Sequence, residues 1–116
     1  MQINPWIIPG IRQATPKSDE ETKASILQAV EQVTGYSLNM LLKNNRTRDR
    51  VLARNLCYYF LRKHTKYSLK QIGDLFNKDH TTIIYGIKMV DDMLTTNDSA
   101  TEHWHQSIQL IFKQSI

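Results

Sequence analysis

Ser68-Leu-Lys-Gln-Ile-Gly-Asp-Leu-Phe-Asn-Lys-Asp-His-Thr-Thr-Ile-Ile-Tyr-Gly-Ile-Lys88 is the stretch whose reading decides the fold. It spells two helices joined by a tight turn. Ser68 is a good N-cap, and Gln71 three residues on completes a capping box. Leu69, Ile72, Leu75 and Phe76 then recur at helical spacing. Asn77 and Lys78 break the apolar pattern. Asp79 is a second N-cap, and Ile83, Ile87 and Val90 give the next helix an apolar stripe. A short helix, a turn and a second helix make a helix-turn-helix.

In such a unit the first residues of the second helix enter the major groove of DNA. Here they are His80, Thr81 and Thr82. Imidazole and hydroxyl groups exchange hydrogen bonds with base edges, and a threonine methyl packs on the thymine methyl. The plainer alternative is a polar helix start in a hairpin made only for packing. The turn and the caps by themselves leave both readings open.

Composition narrows the choice. At 116 residues with ordinary hydrophobic content and few glycines or prolines, the chain is one small globular domain. No apolar run approaches the roughly 18 residues of a membrane span, and no secretory signal opens the chain. The single cysteine, Cys57, lies beside Leu56 in a predicted helix that also holds Phe60, as a buried inert thiol would. All of this fits a cytoplasmic protein.

The net charge of +4 is unevenly spread. Residues 1–42 sum to −1 and residues 71–116 to −3, whereas residues 43–70 sum to +8. That segment holds Lys43, Arg46, Arg48, Arg50, Arg54, Arg62, Lys63, Lys66 and Lys70 against Asp49 alone. A solvated face usually mixes both signs. One sign concentrated just ahead of a helix-turn-helix is the footprint of nucleic-acid binding.

Taken in order, the chain predicts six helices and no strand. Residues 1–17, with Pro5, Pro9, Gly10 and Pro16, read as an extended arm whose Trp6, Ile7 and Ile8 pack on the domain in preference to docking a partner. Residues 18–116 form the domain. Ser18 with Glu21 caps the first helix, striped by Ile26, Leu27, Val30 and Val33 and stopped at Gly35. Ser37 starts a short second helix. Thr47 or Asp49 caps a long third one through Leu52, Leu56, Tyr59 and Phe60. The helices of roughly Leu69–Phe76 and His80–Leu94 follow. Ser99 with Glu102 makes a capping box for a sixth, striped by Trp104, Ile108, Ile111 and Phe112. The architecture is all-α, a bundle of six short helices.

Arg46-Thr-Arg48, Ala53-Arg54-Asn55, the run from Ser68 through Ile72-Gly73 to Phe76, and Asp79-His-Thr-Thr-Ile83 together resemble the C-terminal DNA-binding domain of the bacterial replication initiator DnaA. The resemblance runs from about Ser25 to Leu94. It implies a domain that reads a short AT-rich box at replication origins. By that likeness Arg46 enters the minor groove, where a narrow AT-rich groove attracts an arginine. Arg54, Asp79, His80, Thr81 and Thr82 fall on the major-groove side. Arg54 would reach a guanine bidentately or clamp a phosphate. Asp79 would cap its helix or accept from a base amino group. Arg48, Arg50, Asn55, Lys66, Ser68, Leu69, Lys78, Tyr85 and Lys88 complete the DNA-contact set. Tyr85 either bonds a phosphate or packs over the third helix.

Three positions depart from the family's pattern. Lys78 stands where arginine is usual, keeping the charge but losing the planar fork. Asn77 fills a turn one residue short, where the family tends to have two glycines. Asn55 replaces a glutamine and has less reach. These bear on which box is read rather than on how the domain docks. The initiator also carries an ATPase module, and nothing here resembles its phosphate loop. Read as it stands, the chain binds a box without ATPase activity, as a regulator, a competitor at initiator sites or a replication accessory, alone or with replication proteins or a second DNA-bound copy.

The remaining candidates are weaker. His103 and His105 are two apart on a helix and point to different faces, so a shared metal ion is not expected. No cofactor is expected either. A small nuclease would need clustered carboxylates near the basic segment, where only Asp49, Asp74 and Asp79 are available, so no enzyme is expected. The competing function is a protein-interaction module for an acidic partner, which the basic segment permits but the Thr81-Thr82 helix start gives no reason for.

Overall fold

The computed structural model describes residues 18–114. The expected arm over residues 1–17, with Trp6–Ile8, lies outside them. Among the described residues all elements are helices: α1 Asp19–Thr34, α2 Leu38–Leu41, α3 Arg48–His64, α4 Leu69–Phe76, α5 His80–Thr95 and α6 Ser99–Gln114. The all-α bundle with a helix-turn-helix at α4–α5 is thus observed. No helix among them is long and apolar enough to cross a membrane.

Local chemistry accounts for most boundaries. The Ser18 hydroxyl accepts from the Glu21 N–H, with Asp19, Glu20 and Glu21 in the first turn of α1 where the helix dipole favours them. Gly35 takes the left-handed conformation (φ 81°) and donates to the Glu31 carbonyl, ending α1. Ser37 caps α2 and Thr47, not Asp49, caps α3. The expected Ser68–Gln71 capping box opens α4. One expectation is corrected: the cap of α6 is Asp98 rather than Ser99. The Asp98 carboxylate accepts both the N–H (3.1 Å) and the hydroxyl (2.8 Å) of buried Thr101. These bonds, first the hydroxyl's, hold the Asp98 carboxyl below the usual carboxylate range.

The long helix α3 is the hub. Ala53, Leu56, Cys57, Tyr58, Phe60 and Leu61 are buried along it. They join Ile26 and Val30 of α1, Leu41 of α2, Ile72 and Phe76 of α4, Ile83 and Val90 of α5, and Ile108 and Phe112 of α6 in one core. Tyr58 meets Phe76 edge-on at 5.0 Å, tying α3 to α4. Burial pushes the Cys57 thiol up to about 12, so it is a packed, unreactive group.

Two features of this packing have measurable consequences. Helix α5 approaches α3 at Gly86, where an added Cβ would lie 2.5 Å from Asn55 Oδ1 and 2.7 Å from Tyr58 Cδ2. Gly86→Ala therefore forces the two helices apart. We expect a loss of about 1–3 kcal/mol in urea unfolding, the usual cost of overpacking; an unchanged midpoint would show that the seam yields freely.

Where α6 packs on α3, His105 stacks on Phe60 (5.2 Å) and His64 lies against Phe112 (4.7 Å). Burial, and then the neighbouring Lys63, hold both imidazoles below their ordinary value of 6.5, with Lys113 adding to the effect at His64. The unfolded chain therefore binds more protons just below that value, and stability falls as the pH drops through it. We expect the urea midpoint to decrease between pH 7 and 5.5, and His105→Phe to flatten the decrease. Identical pH slopes for variant and parent would refute this account.

Candidate nucleic-acid interface

The turn between α4 and α5 is set by backbone hydrogen bonds. Asn77 adopts the left-handed conformation (φ 56°, ψ 43°), which asparagine tolerates better than most residues. Its N–H donates to the Asp74 carbonyl at 3.4 Å, and the Lys78 N–H donates to the Gly73 carbonyl at 2.8 Å. This pair is a Schellman closure, so the turn that reads as one residue short is a complete helix stop. The Lys78 carbonyl folds back onto Gly73, where a Cβ has no room.

Asp79 follows in extended conformation and caps α5, its Oδ1 accepting from the Thr82 N–H at 2.9 Å. The backbone and then the side chain of Thr82 hold the Asp79 carboxyl below the usual range. Of the two roles open to Asp79 in the sequence, the structure therefore displays capping.

Beyond the cap, α5 presents an uncovered face. His80, Thr81 and Thr82 are all exposed. Ile84 (46 % exposed), Tyr85 (68 %) and Lys88 continue from them at helical spacing. Tyr85 thus points to solvent and does not pack over α3. The position facing α3 is its neighbour Gly86.

The loop between α2 and α3 brings a second set of residues alongside. Arg46 is exposed on this loop. Just after it the Thr47 N–H donates to Asn45 Oδ1 (3.1 Å) and the Thr47 hydroxyl caps α3. Lys78 Nζ reaches Asn44 Oδ1 at 3.5 Å, linking the turn to the loop. A cleft of about 280 Å³ lies between them, lined by Asn44, Arg46, Val51, Arg54, Asn55, Tyr58, Lys78 and Thr82. Residues expected at the site from three separate parts of the sequence thus meet at one opening.

Not every expected residue faces outward. Arg54 is only 7 % exposed, and its guanidinium bonds the carbonyls of Leu41 (2.7 Å) and Lys43. Arg50 is half-buried, donates to the Met40 carbonyl at 3.4 Å and lies over the Tyr36 ring at 5.3 Å. Arg54 thus gives two of its donors to backbone carbonyls while still lining the cleft. Leu69 is half-buried against the core. Arg48 is exposed but lies near Asp98 along a different groove, of about 570 Å³, between α3, α5 and the start of α6. Lys66 and Ser68 are exposed, with the Lys66 backbone held by Asp19 (3.2 Å) and Ser68 capping α4. His103 is exposed while His105 packs on Phe60, so the two diverge. Among the described residues no three His, Cys, Asp or Glu side chains gather to hold a metal ion.

Asn44 and Ile84 belong to this surface and were not singled out in the sequence. Ile84 could have been found by carrying the face of His80 and Thr81 one turn further. Asn44 carries no local signal, because its neighbour Lys78 is remote in the chain.

Over residues 24–90 the chain matches the family described as bacterial dnaA protein helix-turn-helix. The chromosomal replication initiator protein DnaA of Picosynechococcus sp. is 35 % identical over 94 residues, covering 72 % of this chain and 21 % of that protein. DnaA 1 of Chlamydia pneumoniae is 33 % identical over 92 residues, covering 79 % and 19 %. DnaA of Oleidesulfovibrio alaskensis is 42 % identical over 55 residues, covering 47 % and 12 %. The chain spans about a fifth of the length of the first two relatives. No solved structure matched.

The geometry of the turn is open to a direct check. Gly73→Ala places a methyl group against the Lys78 carbonyl. A peptide carbonyl in a hydrogen-bonded turn cannot give way cheaply, so a loss of about 1–3 kcal/mol is expected by thermal melting. Full retention of stability would mean that the α4–α5 turn is not locked as described.

Proposed function

The chain belongs to the bacterial DnaA helix-turn-helix family, and from that premise we propose that it binds double-stranded DNA by sequence, reading an AT-rich box of the replication-origin type. The first two turns of α5 enter the major groove. His80, Thr81 and Thr82 meet base edges there, and Arg46 enters the adjoining minor groove. Lys78, Lys88, Lys66, Tyr85 and the capped start of α4 at Ser68 and Leu69 supply the phosphate contacts in this reading. Asn55, at the floor of the cleft, borders the reading edge.

The observation that carries this reading is the uncovered N-terminal face of α5 with Arg46 across the cleft from it. A helix made only for packing has no need to hold polar, β-branched residues at its exposed start. The reading needs no catalytic step and no cofactor. It takes residues 18–116 as the binding unit, with the preceding segment as an arm. The relatives' printed name, chromosomal replication initiator, suggests a role in starting replication, whether by placing an initiator or by competing for its sites. Replication proteins or a second DNA-bound copy would be the further partners, and the nucleoid the place of action. One reading helix offers modest affinity, so paired boxes would add avidity.

The test is an anisotropy titration with a box-bearing duplex and a scrambled duplex of equal composition at near-physiological salt. We expect preference for the box of more than about tenfold, on the order of 1.4 kcal/mol. Arg46→Ala and His80→Ala should each cost about 1–3 kcal/mol, the first at AT-rich flanking positions. The logarithm of affinity should fall by roughly 0.9 per decade of salt for each phosphate neutralised. Equal binding to both duplexes, or unaltered binding by both variants, would overturn the reading.

A further inference from the structure

We propose that Arg54 is a positioning residue that holds the loop carrying Arg46 in the place from which Arg46 reaches the minor groove. The proposal rests on the docking reading above and deepens it. It assigns specificity at the flanking base pairs jointly to an exposed arginine and to a buried one that holds its loop.

The physical case begins with α2. It is a single turn, Leu38–Leu41, so its last carbonyls lack regular helical partners, and that of Met40 accepts a long 3.4 Å bond from the Lys43 N–H. Helix α3 supplies donors from the side. Arg50 Nη1 takes the Met40 carbonyl, Arg54 Nε the Leu41 carbonyl at 2.7 Å, and Arg54 Nη2 the Lys43 carbonyl. The Lys43 carbonyl also accepts from the Asn45 N–H at 2.8 Å. Arg46 therefore stands in a short bracket. Upstream its backbone is tied through Lys43 and Asn45 to Arg54. Downstream it runs into the Thr47 cap of α3.

The chemistry favours arginine at this place. A guanidinium presents donors in one plane at fixed spacing, so one side chain bridges carbonyls two residues apart. An ammonium lacks that fork. Arg54 is 7 % exposed, gives two of its donors to the loop backbone and lines the same cleft as Arg46. Holding the loop in its bound shape removes an ordering cost that binding would otherwise carry.

A double-mutant cycle separates positioning from direct contact. The four proteins are the parent, Arg46→Ala, Arg54→Lys and the double variant. Each is titrated with the box duplex and with a duplex whose AT-rich flank is changed to G·C. Amide hydrogen exchange across residues 43–47 and a thermal melt accompany each titration. Arg54→Lys should weaken box binding about tenfold, or about 1.4 kcal/mol, and abolish discrimination at the flank. In the Arg46→Ala background it should cost less than twofold. Exchange at Asn45 should quicken while α5 amides stay protected. If Arg54→Lys does not fold, Arg50→Lys loosens the same segment and should show a smaller loss of the same Arg46-dependent kind. Additive losses, or loop exchange equal to the parent's, would overturn the positioning role while leaving the docking reading intact. An Arg46→Ala variant that binds like the parent overturns the minor-groove reading and this proposal with it.

Discussion

The approach of α5 to α3 at Gly86 sets the rest of the molecule. With no side chain at that position, Asn55 and Tyr58 of α3 lie directly against the α5 backbone. The contact fixes the rotation of α5 about its own axis. Ile83 and Val90 must then turn into the core, and Thr81, Ile84, Tyr85 and Lys88 must turn out. Tyr58 extends the constraint to α4 through its edge-on contact with Phe76. The turn between α4 and α5 follows, because its Lys78 carbonyl closes over Gly73. Two glycines, one left-handed asparagine and one tyrosine thus settle how the two helices of the motif stand to each other.

The basic segment has two occupations rather than one. Its charge of +8 over residues 43–70 reads in the sequence as a single electropositive face. Folding divides it. Arg50 and Arg54 turn inward to the carbonyls at the end of α2, and Arg62 donates to the Tyr67 carbonyl at 3.3 Å. Lys63 lies over the Tyr59 ring at 5.4 Å. Apart from Arg50 and Arg54, all the basic residues of the segment (Lys43, Arg46, Arg48, Arg62, Lys63, Lys66 and Lys70) remain exposed. At the Leu41 carbonyl the Arg54 bond is buried and relieves that acceptor of the cost of being left unpaired. Part of what counts as a binding signature is therefore a capping device. The outward remainder makes the surface, and the inward part shapes the loop it stands on.

The helix starts were legible because capping is local. Ser18, Ser37, Thr47, Ser68 and Asp79 each accept an N–H from three residues ahead, within reach of a pattern read along the chain. Asp98 is masked in the sequence because Ser99 and Glu102 imitate a capping box one residue late. The turn at Asn77 reads as one residue short because residue count does not reveal the left-handed geometry that completes the stop.

By itself the sequence determined the six helices, the apolar stripes that join them and the placing of His80, Thr81 and Thr82 at the head of the second motif helix. Those follow from spacings of three and four residues, which any helix imposes on its own neighbours. Only the tertiary structure decided which way the long polar side chains turn. Arg54 finds its acceptors 13 and 11 residues back, at Leu41 and Lys43, and Lys78 meets Asn44 from 34 residues away. A guanidinium on a polar helix face looks the same in sequence whether it meets solvent or a carbonyl. What separates the two is whether another part of the chain arrives with an unpaired acceptor, and that is settled by the packing of α2 and its loop against α3.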